Sequence, residues 1–201
     1  MRHAPRHAAI ALALAASLLL FVAACSLDAA APASNATAQP RATTSAVTAP
    51  TTLPSCAPPY PTGVPTADSV RCADPSTMQA ARVIRVVDGD TLHAEIGGRD
   101  ETIRFYGINA TEVGQPCSAE ATARLRALAG SEVRLLPDAR ERDRYDRLLR
   151  YVYTVDGRSI DAQLVAEGLA HAWTTDGALR FAIIALETRA RDAHEGCLWA
   201  S

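Results

Sequence analysis

Asp90, Arg104, Asn109, Glu112 and Arg147 are the residues whose types and spacing could do chemistry. A hard divalent cation needs oxygen ligands, which an aspartate, an asparagine amide and a main-chain carbonyl can supply. A glutamate can orient or deprotonate a water molecule. Two arginines can neutralise a phosphodiester while charge builds on its equatorial oxygens. Together they suggest metal-assisted hydrolysis of a phosphate ester. No Ser-His-Asp set competes, because His93, His171 and His194 have no neighbours of triad type. His93 falls in a strand and reads as an ordinary surface or core residue.

Each member also has a plainer reading. Asp90 closes an Asp88-Gly89-Asp90 turn, and aspartates favour turns for local hydrogen-bonding reasons. Asp88 keeps that role in either case. Arg104 stands between Ile103 and Phe105, where it either occupies a solvated face or points a planar fork at a phosphate. Asn109-Ala110-Thr111 fits the N-x-[ST] acceptor pattern as well as one wall of a metal site. Arg140, Arg142, Arg144, Tyr145, Arg147 and Arg150 crowd one loop and the strand after it. A charge run is usually a solvated face, and Arg140, Arg142 and Arg150 keep that reading. Arg147 differs because a strand entry can hold it rigidly.

The elements that must position these residues follow from periodicity. Arg82 to Val87 and Thr91 to Ile96 are β-rich runs flanking the Asp-Gly-Asp turn, and Glu101 to Tyr106 is a third strand. Ala121, Leu125 and Leu128 recur at helical spacing, which predicts a helix over Cys117 to Ala129 ended by Gly130. Glu132 to Leu136 and Leu148 to Val155 are strands, the latter with Leu149, Tyr151, Tyr153 and Val155 on one face. A helix from Ser159 to Glu167 and another marked by Leu179, Ile183, Leu186 and Ala190 complete the order. The expected class is α+β, mainly β: a five-stranded OB-type Greek-key barrel with three helices.

Composition bounds the rest. Arg2, His3, Arg6 and His7 precede an apolar run from Ala8 to Val22, the n-region and h-region of a secretory signal. Val22-Ala23-Ala24-Cys25 resembles the bacterial lipobox, in which Cys25 is acylated; the alternative is ordinary cleavage after Ala24. On the bacterial lipoprotein reading the Asn109 sequon is a coincidence. The expected organisation is a signal peptide over 1–24, an Ala/Pro/Ser/Thr-rich tether over 25–80, and one domain over 81–201. The expected location is outside the cytoplasm, anchored by lipid to the cell membrane, or secreted without acylation.

Every one of the 20 basic residues is an arginine. From Ala81 onward 16 arginines face 19 acidic residues, a net charge of −3. That is not the balance of a strong non-specific DNA binder, so any attraction for nucleic acid must be local. Cys56, Cys72, Cys117 and Cys197 contain no C-x-x-C pair, which argues against structural zinc. Outside the cytoplasm four cysteines suggest two disulfides, with three connectivities open. Cys56–Cys72 and Cys117–Cys197 are the favoured pairs, and free buried thiols are the alternative.

In order and spacing, "VVDGDTL", "IRFYGINATE", "DRYDRLLRYVY", "LVAEGLA" and "GCLW" resemble the thermonuclease (staphylococcal nuclease-like) family over about Val83 to Trp199. The resemblance implies an OB barrel with three helices and hydrolysis of DNA or RNA phosphodiesters dependent on calcium, or on another divalent cation. By position it makes Asp90 and Asn109 metal ligands together with the Ala110 carbonyl. Glu112 becomes the acid that positions or activates water, and Arg104 and Arg147 hold the scissile phosphate, with Arg144 and Tyr145 near a neighbouring one. Asn109 stands where the family usually has a second aspartate, Thr111 where it has proline, and Asp146 where it has glycine. Thr174 and Asp176 fall at the positions of its base-stacking aromatics. The expected partners are nucleic acid and, through the anchor, a membrane, with the protein a monomer. The competing reading is a weakly active or inactive OB module that binds nucleic acid or another ligand.

Overall fold

The structure, a computed structural model, describes residues 56–200. The expected signal sequence, Cys25 and the expected tether up to residue 55 lie outside the described residues. Seven strands and four helices occur in the order β1 (Gln79–Val86), β2 (Thr91–Ile96), β3 (Arg99–Phe105), β4 (Ile108–Asn109), α1 (Ser118–Ala129), β5 (Glu132–Leu136), β6 (Leu148–Tyr153), α2 (Ile160–Ala166), β7 (His171–Ala172), α3 (Arg180–Asp192) and α4 (Gly196–Trp199). Five of the strands close a barrel in the order β1-β2-β3-β6-β5, and β4 pairs with β7 beside it. All barrel pairings are antiparallel except β3 with β6. The expected mainly-β class and five-stranded OB-type barrel are therefore what the chain adopts. The three expected helices are α1, α2 and α3, and the "GCLW" segment adds a fourth, α4, of a single turn.

Period-two alternation puts Leu92 and Ala94 of β2 and Ile103 and Phe105 of β3 into the core. Strand β6 departs from the expected pattern: all six of its residues are buried. One face fills the barrel while helix α2 covers the other, so alternation carries no polar face there. The strand also ends at Tyr153, leaving Val155 exposed beyond it. In α1, Ala121, Leu125 and Ala129 supply the buried stripe, and Gly130 ends the helix with φ of 55°. Ser159 caps α2 by accepting from the Ala162 amide at 3.1 Å.

The domain begins earlier than residue 81. Val70 and Ala67 are buried, and β1 starts at Gln79. The Ala73 amide donates to the Gly157 carbonyl, and the Ser159 amide donates to the Arg71 carbonyl, each at 2.9 Å. A disulfide from Cys56 to Cys72 staples this segment, and a second joins Cys117 to Cys197; both have Cα atoms 5.6 Å apart. Both favoured pairings are present. Among the described residues no helix is long and apolar enough to cross a membrane.

Candidate functional site

The β1–β2 turn, the end of β3 with β4, the loop before α1 and the loop entering β6 converge on two hollows. The smaller, about 130 Å³, is lined by Asp88, Asp90, Arg104, Asn109, Ala110, Thr111, Glu112 and Arg147. It thus brings together every residue expected as metal ligand or catalyst. The larger, about 420 Å³, shares Arg104, Asn109 and Arg147 with it and adds Arg144 and Tyr145. Phe105, Tyr106, Arg140, Asp143, Leu149 and Trp173 complete its lining.

Asp90 is held from three sides. The Thr91 hydroxyl donates to its Oδ1 at 3.0 Å, and the Ala110 amide donates to Oδ2 at 2.7 Å. Arg104 Nη2 ion-pairs with the same Oδ2 at 3.1 Å. Burial pushes the Asp90 carboxyl above its ordinary range, against the opposing pull of Arg104 and the Ala110 amide. Asp88 plays the turn role, accepting from the Asp90 amide at 3.0 Å. Gly89 between them has no room for a side chain, since a Cβ would lie 2.6 Å from that of Ala110 and 2.7 Å from that of Ala121. The turn is thereby pressed against both α1 and the Ala110 wall.

Arg104 does not face solvent; it is 9% exposed. Its Nη1 donates to the carbonyls of Phe105 at 2.6 Å and Ile108 at 2.8 Å, which fixes the plane of the fork. Nη2 donates to Asn109 Oδ1 at 2.9 Å, so one nitrogen touches both expected ligand oxygens. Among the described residues no three His, Cys, Asp or Glu side chains gather into a metal cage. The donors are one carboxylate, one amide and a main-chain carbonyl: oxygen-only chemistry that fits a hard cation, with little negative charge.

Glu112 stands exposed on a loop closed by its own hydrogen bonds. The Thr111 hydroxyl donates to the Pro116 carbonyl at 2.8 Å, and the Gln115 amide donates to the Glu112 carbonyl at 3.0 Å. Thr111 thus latches the loop across its base. On the far side Asp143 organises the loop entering β6. Its Oδ1 accepts from the amides of Tyr145 at 2.9 Å and Arg147 at 3.0 Å, while Oδ2 accepts from Arg147 Nε at 2.7 Å. Against the push of burial, these donors hold its carboxyl below the ordinary range. Asp146 sits in the left-handed region with φ of 64°, a conformation aspartate tolerates better than most residues. Tyr145 is 64% exposed, with the Arg144 guanidinium 4.7 Å from its ring centre.

Four features escaped the sequence reading. Arg140 and Arg150 are not a solvated face: Arg140 lines the larger hollow, and Arg150 is buried, donating to the Leu149 carbonyl at 2.8 Å and Glu141 Oε1 at 2.6 Å. Aromatic surface is not missing, because Trp173, one position before Thr174, lines the hollow with Tyr106 and Tyr145. Its register follows from the Trp173 amide donating to the Gly107 carbonyl at 2.8 Å. Asp176 binds this wall together rather than standing in for an aromatic. Asp161, fully buried, accepts from the amides of Gly107 at 3.1 Å and Val152 at 2.8 Å. Burial pushes its carboxyl up to about 7, the two amides opposing. An acid four residues before Arg147 is the one signal that could have singled out Asp143; nothing in the sequence marks Asp161 or Trp173. His93 has the ordinary role expected of it, bonded to Asp100 at 2.8 Å and Arg85 at 2.7 Å on the barrel surface.

Residues 102–201 match the family described as staphylococcal nuclease homologue. The chain is 37% identical over 101 residues to a thermonuclease of Staphylococcus hyicus, covering 47% of this chain and 59% of that protein. It is 37% identical over 94 residues to the endonuclease YncB of Bacillus subtilis, covering 43% of this chain and 44% of that one. An uncharacterized endonuclease of Escherichia coli O157:H7 is 33% identical over 135 residues, 65% of this chain and 81% of its own length. The chain therefore spans less than two thirds of the first two relatives and most of the third.

Proposed function

The chain belongs to the staphylococcal nuclease homologue family, and from that premise we propose that it hydrolyses phosphodiester bonds of DNA or RNA with the help of a divalent cation, calcium first. The observation that carries this reading is the convergence of Asp90, Arg104, Asn109, Ala110, Glu112 and Arg147 on one small hollow. A binding module could keep the arginines; it has no need of an exposed glutamate beside them.

Asp90, Asn109 and the Ala110 carbonyl would hold the cation. When bound it supplies positive charge to a phosphate oxygen and lowers the pKa of a water molecule. Arg104 Nη2 contacts the same Asp90 and Asn109 oxygens that would hold a cation, while its Nη1 stays anchored to two carbonyls. Arg104 and Arg147 then face the phosphate and match the charge that develops on it. Arg147 keeps Asp143 as its orienting partner. Glu112, exposed on a latched loop, takes the proton of the attacking water. Arg144 and Tyr145 flank the next phosphate along the strand. The leader and Cys25 support an extracytoplasmic, lipid-anchored protein; Cys25→Ala should then appear in the soluble fraction.

Digestion of plasmid and single-stranded DNA by the purified protein tests the reaction. Cleavage is expected with calcium and should vanish with chelator. Glu112→Gln should lower it at least ~10²-fold, the scale of a general base. Equal cleavage by the variant would leave Glu112 without that role. Tight nucleic-acid binding with no cleavage under any divalent cation would favour the non-catalytic module instead.

A further inference from the structure

The larger hollow carries a polar device that phosphate hydrolysis does not require. Asp176 Oδ1 accepts from Trp173 Nε1 at 2.7 Å and Arg140 Nη2 at 3.1 Å. Its Oδ2 accepts from Arg140 Nε at 3.0 Å and the Tyr106 hydroxyl at 3.2 Å. One carboxylate therefore fixes two aromatic rings and one guanidinium in the same wall. Tyr106 and Tyr151 rings lie 5.3 Å apart behind it, which stiffens the wall further. Against burial, these donors hold the Asp176 carboxyl low, so the carboxylate form is what they bind.

The consequence for Arg140 is specific. A guanidinium has two edges that can donate a parallel pair of N–H groups. Asp176 occupies the side-on edge, Nε with Nη2; among the described residues no acceptor other than Asp176 is bonded to the end-on edge, Nη1 with Nη2, and the guanidinium carbon lies 5.4 Å from the Tyr106 ring centre. Arg140 lines a hollow of about 420 Å³ whose other walls include Tyr106, Tyr145 and Trp173. Aromatic faces stack on any base and do not discriminate. A fixed pair of donors does, because it matches only a partner with two adjacent acceptors. Guanine offers N7 with O6, and cytosine offers O2 with N3. Adenine, thymine and uracil present no two acceptors side by side, since a donor flanks N1 and N7 of adenine and both carbonyls of thymine and uracil.

We propose that Asp176 and Arg140 determine base preference: Asp176 turns Arg140 from a general phosphate contact into a base-edge reader that favours guanine and cytosine. Arg140 is the specificity-determining residue and Asp176 positions it. The inference rests on the hollow being a nucleotide site, as the proposed function holds.

Nucleotide binding in calcium, followed by Trp173 fluorescence, tests this without any cleavage. Deoxyguanosine and deoxycytidine monophosphates should bind at least ~10-fold tighter than the adenine and thymine counterparts, the scale of one bidentate contact. Asp176→Asn should reduce that ratio below about 2-fold. It should also steepen the salt dependence of oligonucleotide binding by about one charge, as Arg140 is freed toward phosphate. Arg140→Gln should remove the ratio with no steeper salt slope. A ratio near one in the parent protein, a preference for adenine or thymine, or an intact ratio in a folded Asp176→Asn would each overturn the proposal. If the parent discriminates among nucleotides yet cleaves nothing, the nuclease reading fails and this one stands. If it cleaves at all four bases alike, the reverse holds.

Discussion

Asn109 keeps an oxygen where a carboxylate would add a charge, and Arg104 already donates to that oxygen. Calcium affinity follows ligand charge count and rigidity. Asn109→Asp is therefore expected to tighten calcium binding about tenfold, read by titration of the purified protein. An unchanged affinity would remove Asn109 from the ligand set. The residues around it show what can be read from letters alone. Asp90, Arg104, Glu112 and Arg147 were legible because their types and order suggest one reaction, and the fold brings them to one hollow. The partners that hold them were not. Asp143, Asp161 and Asp176 act through backbone amides, a guanidinium or an indole reached only by folding. Thr111 and Asp146, legible as departures from the family pattern, acquire their physical sense only in place: one latches a loop, the other occupies a left-handed turn.

Asp161 belongs to the scale of elements, because it joins α2 to β6 and to the Gly107 turn that leads from β3 into β4. Its carboxyl rises from an ordinary 3.8 to about 7 on folding. A raised folded-state pKa means that the native protein binds the proton more tightly than the unfolded chain. Its stability contribution is greatest at low pH and is lost as pH climbs from about 4 to about 7, by up to ~4 kcal/mol. Denaturant unfolding at pH 5 and pH 8 should show this loss in the parent and a smaller one in Asp161→Asn. Parallel pH dependence of the two would contradict it. Among the elements, periodicity found α1, α3 and the first strands because each has one dry and one wet face. It misjudged β6, which has two dry faces. It also placed residues 56–80 in a tether, since Ala, Pro and Ser carry no periodicity; their anchors are a disulfide and main-chain hydrogen bonds.

At the scale of the whole molecule, the acidic balance read from composition turns into a pattern of pairing. Arg124 with Glu167, Arg142 with Glu101, Arg150 with Glu141 and Arg189 with Asp68 neutralise one another around the barrel. Arg144 has no acidic partner among the described residues and lines the larger hollow. Four arginines line that hollow against one aspartate, so its lining is locally basic although residues 81–201 carry a net charge of −3. The two disulfides add a mechanical consequence. They enclose 56–72 and 117–197, so a domain pulled between residues 56 and 197 can pay out only residues 73–116. That is about 44 residues and at most ~150 Å of contour, against ~500 Å for the reduced domain. Single-molecule stretching should record the short extension and, after reductant, the long one. Under load, the helices α2 and α3, the strand β6 and the loop bearing Arg147 stay inside a covalent ring that tension cannot draw out.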